Sequence, residues 1–348
     1  MVHLITPIYF PSIGGIETYV HLLLQKLGDN DPIRVSVFEE KCFKLDNMQP
    51  DAIPRNPLRL NQWFKTLNCQ NTLIINDPRL TWRTVLTCLY AKKNGIKFIC
   101  VSHGFIFHTT RFLRLKKLIF KTLHKIIYAM ASSLVCVSES DYEMARNTLN
   151  LKNIKKIELG INFKEFENTI AKKNQIIVFG RSSKNKRIGL SVSIIGYLLK
   201  NTQTLSVVFI GQKDLEIVDQ IYALKKQFGA RVHLYSQLQR HDLIAKLAES
   251  KYMLSASTYE GFGLATIEAL ASRVIPICND IEPTRSIIDG AGLLIPMSDP
   301  MTEKGLRSVL AFIENGRRFE ESKYDKLKSR FDCDEMIYKL KKLLSEDR

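Results

Sequence analysis

The sequence predicts an α/β protein built of two doubly wound halves. Three observations lead there. Short β-branched, apolar runs alternate with amphipathic stretches along the whole chain, which is the pattern of βαβ units in parallel sheets. Each half holds five or six such runs, enough for a sheet of its own. The chain has 348 residues, more than one core of about 150 residues per domain organises.

Taken in order, the strand-like runs of the first half are residues 2–6, 33–38, 72–76, 97–101 and 134–137. Between the second and third, residues 41–61 carry Pro50, Pro54 and Pro57 and read as a long surface loop. The second half has runs at 175–179, 205–210, 231–235, 252–255, 274–278 and 292–295. The polar stretch 159–174 separates the halves. At the end, Tyr324, Leu327, Phe331, Met336, Ile337, Leu340, Leu343 and Leu344 have helical spacing. The expected division is a first domain over 1–162, a second over 163–325 and a terminal helix over 326–348. In open parallel sheets, ligands bind beyond the carboxyl ends of strands, so the cleft between two such domains is the expected site.

Composition narrows the partners. Lys and Arg number 51 against 35 Asp and Glu, a net charge of +16. That field favours phosphates, nucleic acid or acidic lipid. The seven cysteines are scattered with no C-x-x-C pair, so neither a zinc site nor a disulfide framework is implied, and a reducing compartment is expected. The start, Met1-Val2-His3-Leu4-Ile5-Thr6-Pro7, lacks the features of a signal peptide. No apolar run is long enough to cross a bilayer.

Four motifs follow strands. Gly14-Gly15-Ile16-Glu17 can bring backbone N–H groups to an anion at a helix start, although a plain turn reads equally well. His103-Gly104 stands at the end of the strand 97–101, as a cleft residue or an ordinary turn histidine. In Phe179-Gly180-Arg181-Ser182-Ser183-Lys184-Asn185-Lys186-Arg187, Arg181 and Lys186 can converge on a diphosphate, or the loop is a solvated basic one. The strongest is Glu260-Gly261-Phe262-Gly263-Leu264, a glycine turn running into a helix with Glu268 one turn inside. The helix start suits a phosphate, and the carboxylates suit hydroxyls on either side of it.

Glu260 and Glu268 together resemble the E-x7-E signature of retaining nucleotide-sugar glycosyltransferases of the GT-B fold, family four. Gly14-Gly15, His103-Gly104, Val137-Ser138-Glu139-Ser140, Arg181 and Lys186 fall in that family's order, so the resemblance covers nearly the whole chain. The segment His103-Gly104-Phe105-Ile106-Phe107-His108-Thr109 is further similar to bacterial α-mannosyltransferases that extend polyprenyl-diphosphate-linked glycans for exopolysaccharide. The resemblance implies two Rossmann-like domains facing each other across a cleft, with a C-terminal crossing helix packed back on the first domain. It implies that Gly15 places its amide near the diphosphate and that His103 contacts the donor sugar near the reacting carbon. Arg181 and Lys186 would neutralise the leaving diphosphate. Glu260 would bond the sugar, with His103 as the catalytic pair, and Glu268 the ribose. Phe262, Gly263 and Leu264 would line the donor site, and the backbone at Leu238 would face the base. Metal independence is implied too: Asp29-Asn30-Asp31 matches a D-x-D motif by letters but precedes a strand and reads as a turn. The chain departs from the family at Arg273, where glycine is usual after Ala271-Ser272.

Residues 98–138 contain no acidic residue, and 111–130 carry Arg111, Arg114, Lys116, Lys117, Lys121 and Lys125. This reads as a basic amphipathic helix, either an ordinary packed one or one that meets anionic lipid. The expectation is a hexosyltransferase using GDP-mannose or a UDP-sugar on a lipid-linked or polysaccharide acceptor. It would be cytoplasmic and peripheral on the inner face of the membrane, without nucleic acid. Rival readings are a GT-B nucleotide-sugar epimerase and a non-catalytic basic protein holding membrane or nucleic acid.

Overall fold

The computed structural model describes residues 2–7, 15–27, 33–38, 51–67, 72–78, 81–105, 113–167, 170–180 and 183–346. The chain divides into two compact units, one of residues 1–160 with 333–348 and one of residues 161–332.

The first unit runs β1 (Val2–Thr6), α1 (Gly15–Leu27), β2 (Ile33–Val37), β3 (Asp51–Ala52), α2 (Pro57–Phe64), β4 (Thr72–Asn76), α3 (Trp82–Lys93), β5 (Phe98–Ser102), α4 (Leu113–Ile119), α5 (Lys125–Met130), β6 (Ser133–Cys136), α6 (Glu139–Leu149) and β7 (Ile154–Lys156). One π turn, Phe120–His124, joins α4 to α5. The strands form a sheet in the order β3-β2-β1-β4-β5-β6-β7, every pairing parallel. Right-handed crossovers put α2, α3, α5 and α6 on one face of this sheet. Their apolar side chains meet Ile5, Leu73, Ile75, Phe98, Cys100, Leu134 and Cys136 in one core.

The second unit runs β8 (Lys173–Phe179), α7 (Ile188–Asn201), β9 (Ser206–Ile210), α8 (Leu215–Phe228), β10 (Val232–Tyr235), α9 (Arg240–Glu249), β11 (Ser250–Ser255), α10 (Leu264–Ala271), β12 (Ile275–Asn279), α11 (Thr284–Ile288), β13 (Leu293–Ile295), α12 (Glu303–Glu314) and α13 (Glu321–Phe331). Its sheet, β10-β9-β8-β11-β12-β13, is also parallel throughout. Both strand orders reverse direction at the first strand, between β1 and β4 and between β8 and β11. A crevice opens beyond the carboxyl ends at such a reversal.

Three expectations need correction. Residues 41–61 are not all loop. Asp51–Ala52 pair with Ser36 and Val37 as an edge strand, and Pro57 opens α2 rather than breaking it. The Asn56 Oδ1 accepts the N–H groups of Leu58 (2.9 Å) and Arg59 (3.3 Å), and Pro57 needs no acceptor at the first helical position. β7 was not expected as a strand. Residues 326–348 are not one helix. Asp332 is extended (φ −70°, ψ 137°) between α13 and α14 (Cys333–Glu346). It bridges Ile161 within the second unit, and Ile161 N–H donates to Phe331 O (2.8 Å). Beyond it, α14 packs on α1 in the first unit, where Lys26 meets Asp334 (2.7 Å).

Candidate functional site

In the second unit the loops after β8 and β11 lie at the strand-order reversal and are laced together. Thr258 N–H donates to Asn185 O (2.8 Å), and the Asn185 amide donates to Tyr259 O (3.0 Å). That lacing brings Lys186 to Glu260: the ammonium donates to both carboxylate oxygens, at 2.6 and 2.8 Å. The two side chains are only 22% and 13% exposed, so water screens the pair weakly. The β8 loop approaches the β9 loop so closely that a Cβ on Gly211 would lie 2.9 Å from Gly180 O.

The chain then turns through Gly263 (φ +92°) into α10. A Cβ there would sit 2.9 Å from Ile287 Cδ1, so both backbone and space call for glycine. Thr266 and Ile267 N–H groups return to Gly263 O. The amides before them, at Leu264 and Ala265, lie in the helix's first turn, where no intrahelical acceptor exists. Phe262 is buried edge-on against Phe331 (5.9 Å). Leu238 is half-buried in the loop after β10. Glu268 is buried in α10 with its carboxylate on the guanidinium of Arg240. Arg240 also donates from Nε to Glu165 (3.1 Å) and lies over the Phe166 ring (5.2 Å). Arg240 escaped the sequence reading. Its one signal was a cation heading α9, two residues past Leu238.

At Arg273 the backbone takes the left-handed conformation (φ +57°) that glycine adopts without strain. The side chain offsets part of that strain by pairing with Glu321 (2.8 Å) and lying 4.0 Å over the Tyr324 ring.

In the first unit Thr6, Asn76 and His103 form a chain at the ends of β1, β4 and β5. Asn76 Nδ2 donates to Thr6 Oγ1 (3.3 Å), which turns Oδ1 toward His103 Nε2 at 2.6 Å. Burial lowers the imidazole pKa to about 3. His103 is therefore neutral, with its proton on Nε2 and an acceptor lone pair on Nδ1. Its ring meets Tyr19 edge-on (4.8 Å).

Asp141 is the other residue the sequence reading missed: it lies one position past Val137-Ser138-Glu139-Ser140 and belongs to none of the motifs. Ser138 caps α6, accepting Asp141 N–H (3.2 Å). The Asp141 carboxyl, 5% exposed, instead reaches the turn after His103, accepting from the Ser138 hydroxyl and from Gly104 N–H. Its Oδ2 has no partner among the described residues. Burial raises its pKa to about 7, against the lowering effect of those two donors.

Gly15 begins α1 and is exposed. Gly14, Asp29-Asn30-Asp31, Arg111 and Arg181 lie outside the described residues. In the basic stretch, Arg114, Lys117 and Lys121 are exposed and Lys116 and Lys125 half-buried. The expected opposition of a basic and an apolar face does not hold. Leu115, Leu118, Leu123 and Ile126 are exposed among the cations, and Phe120, His124, Ile127 and Tyr128 face the core.

Residues 161–324 match the family described as Glycosyl transferases group 1, and residues 13–165 match Glycosyltransferase Family 4. A curated relative from Komagataeibacter xylinus, GDP-mannose:cellobiosyl-diphosphopolyprenol alpha-mannosyltransferase, is 27% identical over 203 residues, covering 57% of this chain and 51% of that protein. The protein of the same name from Xanthomonas campestris is 25% identical over 55% of this chain and 51% of its own length. The chain thus aligns with about half the length of these relatives. Among solved structures, Anabaena Alr3699/HepE in complex with UDP superimposes with a TM-score of 0.76 at 13% identity, over 99% of both chains. Sucrose-phosphate synthase from Thermosynechococcus elongatus superimposes with a TM-score of 0.72 at 16% identity, over 99% of this chain and 98% of that one. With the two sheets, the laced loops and the matches to both halves in place, the chain belongs to the family-four glycosyltransferases and has their GT-B fold of two Rossmann-like domains.

Proposed function

We propose that this enzyme transfers mannose from GDP-mannose, with retention of configuration, to a lipid-linked glycan acceptor in cell-surface polysaccharide synthesis. It works without a metal ion, at the cytoplasmic face of the membrane. The observation that carries the reading is the order around α10, where Lys186 holds Glu260, Gly263 opens the helix and Arg240 holds Glu268. Cations and free amides for a diphosphate alternate there with carboxylates for hydroxyls. GDP-mannose is the donor named in the curated relatives. UDP, bound in a structural neighbour, makes a UDP-sugar the competing donor.

In this reading the diphosphate rests against the first turn of α10, where the helix dipole favours anions. Breaking the bond to the anomeric carbon moves negative charge onto it, and Lys186 with Arg181 stabilises that charge. Glu260 orients Lys186 and bonds sugar hydroxyls. The acceptor attacks on the leaving-group face, and its proton passes to a donor phosphate oxygen. His103, neutral, offers Nδ1 to a sugar hydroxyl.

The two glutamates separate in a binding experiment. Glu268→Ala is expected to weaken GDP by about 10- to 100-fold, the worth of charge-assisted hydrogen bonds to a ribose diol. Glu260→Ala should leave GDP affinity near that of the parent and depress turnover. Calorimetry with GDP checks this, and equal losses of affinity in the two variants would overturn the assignment.

A further inference from the structure

Helix α3 turns part of its apolar surface outward. Its buried positions are Thr84, Thr87, Cys88 and Ala91, all small. Its solvent side carries Trp82 (49% exposed), Leu86 and Leu89, followed by Lys92 and Lys93. Positions 82, 86, 89 and 93 fall on one stripe at helical spacing. The hydroxyls on the inner side are satisfied locally: Thr87 donates to Arg83 O (2.8 Å), and the Thr84 and Thr81 hydroxyls meet at 2.9 Å. The small inner face leaves Trp82, Leu86 and Leu89 in water, while Val85 and Tyr90 pack against the core and Tyr90 stacks on Phe64 (4.6 Å).

The helix it packs against repeats the arrangement. α3 contacts α5 on the same face of the first unit's sheet. Along α4, the π turn and α5, Leu115, Leu118, Leu123 and Ile126 are exposed beside Arg114, Lys117 and Lys121. The charge is one-sided. From Pro78 to Ser138 the sequence has 11 Lys and Arg and no Asp or Glu. An ordinary exposed helix face mixes both signs and few large apolar groups. Apolar side chains set among cations, with a tryptophan at one end, match a bilayer interface: acidic headgroups meet the lysines, and the rings and leucines sink to the acyl boundary.

We propose that the outer face formed by α3, α4 and α5 binds anionic lipid bilayers, with Trp82, Leu86 and Leu89 entering the interface. The proposal rests on the reading above for the reason an acceptor-bearing membrane would be met, but vesicle binding is measured apart from transfer. A protein that turns over GDP-mannose yet ignores vesicles loses this surface and keeps that function; one that binds vesicles and turns over no nucleotide sugar does the reverse.

The chain has two tryptophans, and they make the test specific. Trp63 is buried in the core (6% exposed), so Trp82 alone can report an interface. With vesicles of phosphatidylglycerol and phosphatidylcholine at low salt, the full chain is expected to sediment. Its tryptophan emission should shift to shorter wavelength, and acyl chains brominated near the headgroup should quench it. Vesicles of phosphatidylcholine alone should do neither. In Trp82→Phe the spectral change should vanish while sedimentation persists. Replacing Arg114, Lys117 and Lys121 together by Gln should weaken binding to anionic vesicles roughly a hundredfold. Leu86→Ser with Leu89→Ser, both at exposed positions, should abolish quenching without loss of fold by circular dichroism. Absence of sedimentation with anionic vesicles at low salt would overturn the proposal. Sedimentation without a Trp82 shift or quenching would overturn it too, since the stripe then stays in water. So would a dimer in solution that shields Trp82 from an aqueous quencher, because the stripe would then be covered by a second copy.

Discussion

Lys186→Ala is expected to slow nucleotide-sugar turnover about 100- to 1,000-fold, the cost of removing one preorganised partner of a developing oxyanion. The structure adds a cost that the loop sequence did not suggest. Glu260 is 13% exposed and both its oxygens rest on the Lys186 ammonium. The variant therefore leaves a nearly buried carboxylate without its partner. A fully buried pair broken this way loses about 3–5 kcal/mol, and this one, open on the lysine side, should lose about 2–3 kcal/mol. Denaturant unfolding measures that loss. Lys186→Met combined with Glu260→Gln should restore most of the stability and none of the activity. A double variant that regains turnover would show the pair to be structural only.

Asp141→Asn should change the pH dependence of stability more than its value at acid pH. In the folded chain burial keeps the carboxyl protonated up to about pH 7, whereas the unfolded chain releases the proton near its ordinary value of 3.8. Between those limits the folded form binds more protons, so the contribution of Asp141 falls as pH rises and levels off above about 7. The full span is at most about 4 kcal/mol, or about 1.4 kcal/mol per pH unit. Neighbouring Tyr128 and Cys136 do not mask the slope, because burial pushes both pKa values far above this window. His103 slopes the other way, since its lowered pKa costs stability as pH falls below 6.5. The difference between parent and variant isolates Asp141. Urea unfolding at pH 5, 6, 7 and 8 should find the Asn variant gaining on the parent up to about pH 7; parallel curves would contradict the burial argument. Because Asp141 holds Gly104 N–H beside His103, the pH profile of turnover should shift as well.

The central strands were legible because they are buried on both faces. Runs such as Thr72-Leu73-Ile74-Ile75 and Ile176-Ile177-Val178 have no polar alternation to confuse them. The edges were not. β3 is Asp51-Ala52, exposed and without a large apolar residue, and two of the three residues of β7 are exposed lysines. α2 was hidden by Pro57, a breaker in mid-helix and a good first residue after the Asn56 cap. At the site, Glu260, Gly263 and Glu268 could be read from local spacing. Their partners could not. Lys186 lies 74 residues from Glu260, and Arg240 lies 28 from Glu268. Only the order β10-β9-β8-β11 brings those loops together. The basic helix misled for a related reason. Its inner positions are taken by Phe120, His124, Ile127 and Tyr128, which leaves its leucines outside.

The most direct test of the enzyme's proposed chemistry is a single reaction: purified protein, GDP-mannose and a disaccharide linked to diphosphopolyprenol, with and without a metal chelator. GDP release should depend on the acceptor, the product should carry an α-linked mannose by proton NMR, and the chelator should change nothing. Mannose converted to another sugar without acceptor, a β-linked product, or failure to consume GDP-mannose under conditions where a UDP-sugar is consumed would contradict it.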